Sequence, residues 1–578
     1  YSQSSFTSSG NSTSWGSQSS WIESVPGTDS DGIPDSDDDV VINNGHIINC
    51  LTSGLTECKS FTLNTGGVLN INSNYNFRTW DNPGSLTNNG TINGPGTIRP
   101  IFLTTLSGSG TYNNVSLRKT NTAIYVNGDF EFSGITIESG CFLYVNSGKN
   151  LKISGPSIFT SSASYFVNRG SVELNYSPFM TGAQGSETHF QSSIGNFICS
   201  SSTFPVPSDS YLDVTISSNT ICNSSFTIRG NLIANAEFTS SGSSTLNFNG
   251  SSAQTISGSS TMNFENILLN NSNGLTLSSG NINITGLMES ISGTLSQNGA
   301  TVILKSNSNN NAGMIKVSSS SGYSYSSGAF TTERYFNATS SGWRMVGAPI
   351  QNSTLNDWDD EFDYCGFTGS DYSYSGCGNF CSVWFYDETS AQVGNSGAGF
   401  DSATNITNST TPDNGSIIYT GQGATTLSVT GTPEFRDRSF SVTKSGADAA
   451  FGYNLVSNPY PCTLDWTTFR ADNTFLDNGY YIYQADAGNY LSVWGSGSIP
   501  HSQGFFVKKT STGTSTLNLS TSQTVNTQAN FTKSVNGINL PLTLKLTSNN
   551  NPYYDFAHVN TGSNYSNNYD PGEDIFEL

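Results

Sequence analysis

A phrase of 20 or 21 residues occurs three times in this chain and begins and ends at glycine. The copies span residues 128–148, 230–250 and 280–299. Each contains two short runs of alternating apolar and polar residues, which predict strands with one buried face. One such strand–turn–strand unit is too small to bury its own apolar face, but stacked copies bury it between them. The repeat therefore predicts a β-solenoid.

The same pattern fills the sequence between the copies. Short apolar runs separated by Asn-Gly, Ser-Gly and Gly-Gly turns continue from 29 to 330. At about 20 to 25 residues per turn, this length predicts a right-handed parallel β-helix of about 12 to 14 turns. Charged residues are scarce here, because like charges repel when equivalent positions stack. We expect Asn and Ser to form hydrogen-bonded ladders in their place.

Residues 1–28 form a Ser-rich N-terminal arm that contains Trp15 and Trp21. The arm is either loosely docked or a first strand that caps the solenoid, with the tryptophans covering its open end. The sequence opens without the apolar segment of a signal peptide, so we expect a secreted, already processed product. No run of about 18 apolar residues occurs, and no membrane-spanning segment is predicted.

The net charge is −21 at pH 7, with 42 acidic residues against 21 Lys and Arg. A surface without a basic patch cannot displace counterions from phosphates, which excludes nucleic acid as a partner. An acidic surface suits an extracellular protein that binds divalent cations. An acidic turn at 29–39 supplies carboxylates around Gly32, and such carboxylates converge on Ca²⁺ in other turns. The candidate calcium ligands are Asp29, Asp31, Asp35, Asp37 and Asp39; the alternative is a solvated turn before a strand.

Nine cysteines occur, none of them in a zinc-binding pattern. Cysteines that form disulfides are typical of an oxidising, extracellular compartment. Local spacing makes Cys50–Cys58 and Cys199–Cys222 the candidate disulfides. The odd count leaves at least one thiol, for which Cys141 on a predicted solenoid strand is the candidate.

A second internal repeat begins after Phe330. The segments 342–358 and 452–466 share a Gly-aromatic start, a strand, a Pro turn and a closing Asp-Trp, and each precedes an aromatic strand. This duplication predicts tandem β-sandwich domains at 331–445 and 446–530. Residues 531–578 resemble an incomplete third sandwich. Trp343, Trp358 and Trp466 recur in the duplication, which favours a place in the sandwich cores.

The order of these regions resembles the large cell-surface proteins of Bacteroidota that are exported by the type IX secretion system. IPDSDDDVVINNGHIINC and SSAQTISGSSTMNFENILLNNSNGLTLSSGNINITG resemble their β-helical repeats, and ERYFNATSSGWRMVGAPI and YNLVSNPYPCTLDW resemble their sandwich modules. LPLTLKLTSNNNPYYDFAHVN resembles the module beside their C-terminal sorting domain. That sorting domain is missing from this sequence, through cleavage on export or because the sequence stops short. The resemblance implies that a type IX translocon or outer-membrane shuttle protein is a partner during export.

Catalytic constellations are absent from the sequence pattern. The four histidines (His46, His189, His501 and His558) are scattered, and Glu131 and Glu138 on one turn are predicted to point outward. Asp359, Asp360, Glu361 and Asp363 form an acidic group beside Trp358, as expected of a solvated loop.

We therefore expect a non-enzymatic adhesin or structural surface protein, in which a β-helical stalk presents aromatic-rich modules. Trp494 and Tyr480 are the candidate glycan contacts, because aromatic rings stack on sugars. Glycans or cell surfaces are the expected partners. The alternative is a β-helix protein that binds or degrades polysaccharide.

Overall fold

The computed structural model describes residues 3–559 except for 12, 26, 28–29, 52–55, 120–121, 139, 156, 160–164, 176–179, 182–189, 192–195, 205–209, 309–311, 391–398, 486–487, 530–541 and 549–550. The chain is all-β, with 52% strand and 5% helix, and contains a β-solenoid of about 11 turns. The chain divides into two compact units, Tyr1–Ile282 and Asn283–Leu578. Among the described residues, no helix has the length and apolar character needed to cross a membrane.

The first unit consists mainly of stacked parallel strands. In its N-terminal part three sheets run along the stack. The first sheet, in spatial order, contains Phe190–Gln191, Tyr165–Asn168, Phe142–Val145, Ala123–Asn127, Thr104–Ser107, Gly84–Asn88, Ser60–Leu63, Asp39–Ile42, Ser5–Ser8 and Trp21–Val25. The second contains Thr111–Asn113, Thr91–Asn93, Val68–Ile71, Ile47–Cys50 and Thr13–Ser14. The third contains Met180–Thr181, Ser157–Phe159, Gly134–Ile137, Ser116–Lys119, Thr97–Pro100, Asn76–Thr79 and Thr56–Cys58.

Two further sheets continue the parallel pairing within this unit. One contains Phe130–Phe132, Asn150–Ile153, Ser171–Leu174, Asn196–Cys199, Val214–Ile216, Leu232–Ala234, Gln254–Gly258 and Leu275–Leu277. The other contains Ser210–Tyr211, Thr220–Cys222, Phe226–Ile228, Phe238–Ser240, Thr245–Phe248 and Thr261–Asn270. The turn count is below the predicted 12 to 14 because some turns are long. In the second unit, for example, Leu287 pairs with Met314 of the following turn.

Register in the solenoid places like residues above one another. One buried column crosses six strands of the first sheet and comprises Val40, Phe61, Leu86, Leu106, Val126 and Val145. An asparagine ladder runs through the second sheet: the side-chain amides of Asn70, Asn93 and Asn113 each donate to the residue below, Asn49, Asn70 and Asn93, at 2.7, 3.2 and 2.8 Å. The expected polar ladder is therefore confirmed for asparagine.

The N-terminal arm is part of the solenoid stack. Strand Ser5–Ser8 pairs in parallel with Asp39–Ile42 and antiparallel with Trp21–Val25. Trp15 and Trp21 are buried and meet edge to face, with ring centroids 4.9 Å apart. Of the two alternatives for this arm, the capping strand agrees with the structure.

The second unit begins with more parallel pairs and then changes to antiparallel ones. Its first strands are Asn281–Ser292, which starts two residues before the boundary, Leu295–Asn298, Thr301–Leu304, Met314–Val317, Tyr323–Ser327 and Phe330–Phe336. Phe330–Phe336 is parallel to Thr301–Leu304 on one side and antiparallel to Thr425–Thr430 on the other. The change of pattern predicted near Phe330 thus coincides with a change of pairing.

The sequence duplication produces two sheets with one strand order, which we call the duplicated sheets. The first contains Trp343–Val346, Ser416–Tyr419, Val383–Tyr386 and Phe400–Ser402. The second contains Tyr453–Ser457, Gly504–Lys509, Leu476–Gln484 and Asn489–Trp494. In both, the first strand in the chain lies beside the fourth, followed by the second and the third. The other pairings are Arg438–Lys444 with Gly513–Leu519, Thr463–Asp465 with Ser498–Ile499 and Thr524–Val525, and Leu542–Ser548 with Asn551–Val559.

Helical structure in the described part of the chain is confined to short segments. The α-helix Trp466–Asp472 begins at Asp465, whose side chain accepts a hydrogen bond from the Thr468 backbone N–H at 2.9 Å. The 3₁₀ turns are Gln18–Ser20, Ser320–Gly322, Leu355–Trp358, Glu388–Ser390 and Thr521–Gln523. Trp358 and Trp466, the two Asp-Trp positions of the duplication, are fully buried, as predicted, whereas Trp343, also predicted to lie in a core, is only partly buried.

Candidate functional site: an aromatic pocket

The duplicated sheets bury one common aromatic layer. Alternation along each strand directs one set of side chains toward this layer. Its buried members are Met345, Ile417, Tyr453, Leu455, Tyr481 and Phe506, and its partly buried members are Trp343, Tyr386, Phe400, Tyr483, Tyr490 and Trp494. The opposite face of the second sheet packs into a separate core around Trp466 and Phe469. The second sheet is therefore covered on both faces.

A cavity of about 330 Å³ opens where this layer is incomplete. We call it the aromatic pocket. Its lining residues are Trp343, Trp384, Phe400, Ile417, Tyr483 and Tyr490. Four of them come from the first duplicated sheet and two from the second, so the pocket exists only where both copies meet.

The rings around the pocket stand at steep angles to one another. Tyr483 and Tyr490 meet at 68°, with centroids 5.4 Å apart, and the Trp343 ring lies at 65° to that of Tyr419. The indole N–H of Trp384 donates to the Cys381 carbonyl at 3.0 Å, so this ring is fixed by a bond to its own strand region. Burial raises the pKa of Tyr490, which keeps its hydroxyl neutral.

The two predicted glycan contacts lie outside this lining. Tyr480 is 4% exposed and packs against Trp466, with centroids 5.1 Å apart. Trp494 is partly buried in the aromatic layer and lies over Gly479, where a Cβ atom would come within 3.0 Å of its ring. Alternation explains the difference for Tyr480, because it points to the face opposite Tyr481 and Tyr483. Sequence reasoning missed Phe400, Tyr483 and Tyr490 as site residues, although their alternate positions in the duplication were a usable signal.

The acidic turn brings together three of its carboxylates. Ligand oxygens of Asp35, Asp37 and Asp38 lie within 4.8 Å of one another, with Asp35 and Asp37 exposed and Asp38 buried. Burial raises the pKa of Asp38 to about 6, and a hydrogen bond with Asp37 raises that of Asp35. The Asp38 carboxylate also accepts hydrogen bonds from the backbone N–H groups of Ser4 and Asp35, at 3.1 and 3.0 Å. These bonds hold its position without a metal.

The remaining predicted ligands lie elsewhere. Asp29 is outside the described residues. Asp31 accepts a hydrogen bond from the Ile33 backbone N–H at 2.9 Å, and Asp39 accepts bonds from the Gln3 and Ser60 side chains. Asp39 opens the strand Asp39–Ile42, which turns its carboxylate toward these neighbours. The cluster therefore contains Asp38, which was not a predicted ligand, and lacks Asp39, which was.

The cysteine prediction was wrong about pairing. Cys50, Cys58, Cys199 and Cys222 are buried thiols. Their sulfurs contact oxygen atoms: that of Cys199 lies 3.6 Å from the Thr220 hydroxyl, and that of Cys222 donates to the Ser224 carbonyl at 3.2 Å. The disulfide joins Cys365 to Cys377 instead. Cys141 is a buried thiol, as expected.

The acidic group beside Trp358 is less solvated than predicted. Glu361 is partly buried and accepts a hydrogen bond from Ser428. Burial raises the pKa of Glu361 to about 7 and also raises that of Asp359. These carboxylates lie on the loop after Leu355–Trp358. Of the histidines, His501 is buried and the Nδ1 atom of His46 lies 2.7 Å from the Ser8 hydroxyl; His189 is outside the described residues.

A second cavity, of about 380 Å³, lies on the solenoid and has both charged and apolar lining residues; we call it the solenoid groove. Asp129, Glu131, Lys152 and Glu173 are among its lining residues. Lys152 lies between the two glutamates in the parallel register and is 3.3 Å from Glu131. Asp129 accepts two hydrogen bonds from Asn150, at 2.8 and 2.9 Å. Glu131 is exposed here, as predicted, whereas Glu138 pairs with Arg118 at 2.6 Å.

Comparison with family models, curated proteins and solved structures gives no match for this chain.

Proposed function

We propose that this chain is a secreted, non-enzymatic cell-surface protein, an adhesin or a structural surface component, which binds its target through the aromatic pocket. The observation that carries the proposal is the partly exposed ring set of Trp343, Trp384, Phe400, Tyr483 and Tyr490 around a cavity of about 330 Å³. Binding sites combine such concave apolar surfaces with few polar groups. Cell surfaces are the proposed partner, through a surface group that packs on these rings; glycans are the first class to test, because sugar rings stack on aromatic side chains.

Export by the type IX secretion system rests on the resemblance of the repeats and modules alone. The proposed architecture is a right-handed parallel β-helix followed by tandem β-sandwich modules at 331–445 and 446–530. The repeated strand order of the duplicated sheets supports two related modules. In this proposal each module contributes one sheet to the aromatic layer, which explains why the second sheet is covered on both faces.

The solenoid groove favours a second candidate, a protein that binds or degrades polysaccharide along the solenoid. Glycoside hydrolysis requires two carboxyl groups about 5 to 9.5 Å apart on one groove. Glu131 and Glu173 face the same cavity, but Lys152 lies between them and pairs with Glu131. Lys152 thus neutralises the charge of these glutamates. A glycosidase would instead need one protonated and one ionised carboxyl group.

Adhesion of the purified chain to glycan arrays and to intact cells tests the first candidate. Trp384→Leu is expected to abolish binding, whereas Tyr374→Leu removes an aromatic side chain that is 52% exposed and lies outside the pocket, and is expected to leave binding unchanged. Release of reducing ends from polysaccharide, lost in Glu173→Gln, would favour the second candidate. Absence of adhesion together with such turnover would contradict the proposal.

A further inference from the structure

The aromatic pocket has many rings and few hydrogen-bonding groups. Its side-chain lining consists of two indoles, one phenyl ring, two phenols and the aliphatic Ile417. The N–H group of Trp384 is already bonded to Cys381. A sugar stacks on one or two rings and also needs several hydrogen-bond partners for its hydroxyls. This lining offers many ring faces but few hydrogen-bond partners.

None of the six lining residues carries a formal charge, and the chain around them is strongly acidic, with a net charge of −21. Acids also lie near one rim. Asp387 and Glu388 follow Tyr386, whose ring contacts Phe400 at 5.0 Å. After burial, these two carboxylates contribute to raising the pKa of Tyr386 to about 12, which indicates a negative potential there. Such a field attracts cations.

Ring faces carry the negative part of the aromatic quadrupole, and a cation is attracted to several faces at once. The steep angles between neighbouring rings form walls of different direction, as at Tyr483 and Tyr490. The protein already pairs cations with rings elsewhere: Lys508 lies 4.6 Å from the Tyr453 ring centre, and Arg344 lies 5.5 Å from that of Phe336. Both of those cations also have hydrogen-bond partners, which a quaternary ammonium does not require.

The geometry points to a quaternary ammonium group as the ligand of the aromatic pocket, held by cation–π contacts with Trp343, Trp384, Tyr483 and Tyr490. This inference rests on the proposed function and names the chemical class that the same pocket takes. A trimethylammonium group needs no hydrogen bond, carries a spread positive charge and fits within about 330 Å³. Choline-like cations, trimethylated lysine and choline lipid headgroups share this chemistry.

Titration of the full chain with choline chloride, followed by tryptophan fluorescence and calorimetry, tests the inference. The decisive comparison is 3,3-dimethyl-1-butanol, the neutral isostere in which carbon replaces nitrogen. At equal ionic strength, set with sodium chloride, choline should bind at least about tenfold more tightly than the isostere. Equal affinity for the two would overturn the cation assignment and leave an apolar pocket.

Variants locate the binding. Trp384→Leu should weaken choline binding by about tenfold or more, Trp384→Phe should weaken it by less, and Tyr374→Leu should leave it unchanged. Trp384→Phe keeps a ring and guards against loss of folding, which thermal melting checks for every variant. An effect of Tyr374→Leu equal to that of Trp384→Leu would overturn the location.

Two further ligands identify the source of the cation. Binding of trimethyl-lysine peptide without binding of phosphatidylcholine vesicles supports a free or peptide-borne ammonium; binding of the vesicles supports a lipid headgroup. If neither they nor choline bind while the chain still adheres to a glycan, the ammonium inference fails and the proposed adhesin function stands. If nothing binds and no adhesion occurs, both fail.

Discussion

In the solenoid, each turn is held by the turns beside it through columns of like residues, whereas the duplicated sheets are held by aromatic rings of different strands. The column from Val40 to Val145 repeats buried apolar side chains at one position, and the ladder repeats asparagine at another. The layer between the duplicated sheets interlocks six buried side chains from several strands. The first arrangement is local and repetitive. The aromatic layer instead joins strands that are distant in sequence, and the aromatic pocket lies where side chains of the two duplicated sheets do not meet.

The largest expected effect is in the core beside the second duplicated sheet. Trp466 is fully buried against Phe469 and Tyr480. Trp466→Ala should lower the free energy of unfolding by about 3 to 5 kcal/mol, because it removes a large ring and leaves a cavity. Denaturant unfolding measures it, and Leu106→Ala in the solenoid column is the matched variant, expected to cost about 2 to 5 kcal/mol. If hydrogen exchange after Leu106→Ala changed across the whole chain, the local character of the solenoid would be contradicted.

Removal of the disulfide should have the next largest effect. Cys365 and Cys377 are 12 residues apart. The double variant Cys365→Ser/Cys377→Ser should lose about 2 to 3 kcal/mol, because the unfolded chain gains loop freedom. A reductant should destabilise the wild type by the same amount and leave the variant unchanged. Cys199→Ser is the control: it keeps the Cys365–Cys377 disulfide, so the reductant should destabilise it by the same amount as the wild type.

A smaller effect is expected when the asparagine ladder is broken at its third residue. Asn93 donates to Asn70 and accepts from Asn113. Asn93→Ala should cost about 1 kcal/mol, as expected for partly exposed hydrogen bonds. Asn93→Asp should cost more than Asn93→Ala, because neither variant can donate to the Asn70 oxygen and the carboxylate also repels it. An unfolding midpoint of Asn93→Ala equal to that of the wild type would show that these hydrogen bonds contribute no stability.

The solenoid was more predictable from sequence than the region after it. Period-two alternation and glycine turns are local signals, so the repeats at 128–148 and 230–250 indicate stacked strands directly. The aromatic pocket depends on which two sheets face each other across the duplication, and that is a non-local fact. Tyr480 and Tyr481 are adjacent in sequence yet belong to opposite faces, and the cysteine spacing did not reveal that Cys199 bonds to a hydroxyl.

The last effect is confined to a window of pH and concerns the acidic turn of the solenoid, where calcium remains a prediction. The pKa of Asp38 is raised from 3.8 to about 6 in the folded chain. The folded state thus holds this proton more tightly than the unfolded state, so its contribution to stability is present below about pH 4 and is lost as the pH rises to about 6. Asp38→Asn should remove this part of the dependence. Glu361→Gln controls for the other carboxyl whose pKa is strongly raised.

A cation at Asp35, Asp37 and Asp38 would offset the repulsion among these three carboxylates at neutral pH. Calcium at pH 7 should then raise the thermal midpoint of the first unit slightly, with a dissociation constant of about 10⁻⁴ to 10⁻³ M, as in extracellular modules. Magnesium should have less effect, because it demands a stricter geometry. Absence of both calorimetric heat and a midpoint shift would remove the calcium site and leave the cluster as a solvated turn, whereas an effect that persists in Asp38→Asn would place the calcium elsewhere in the chain.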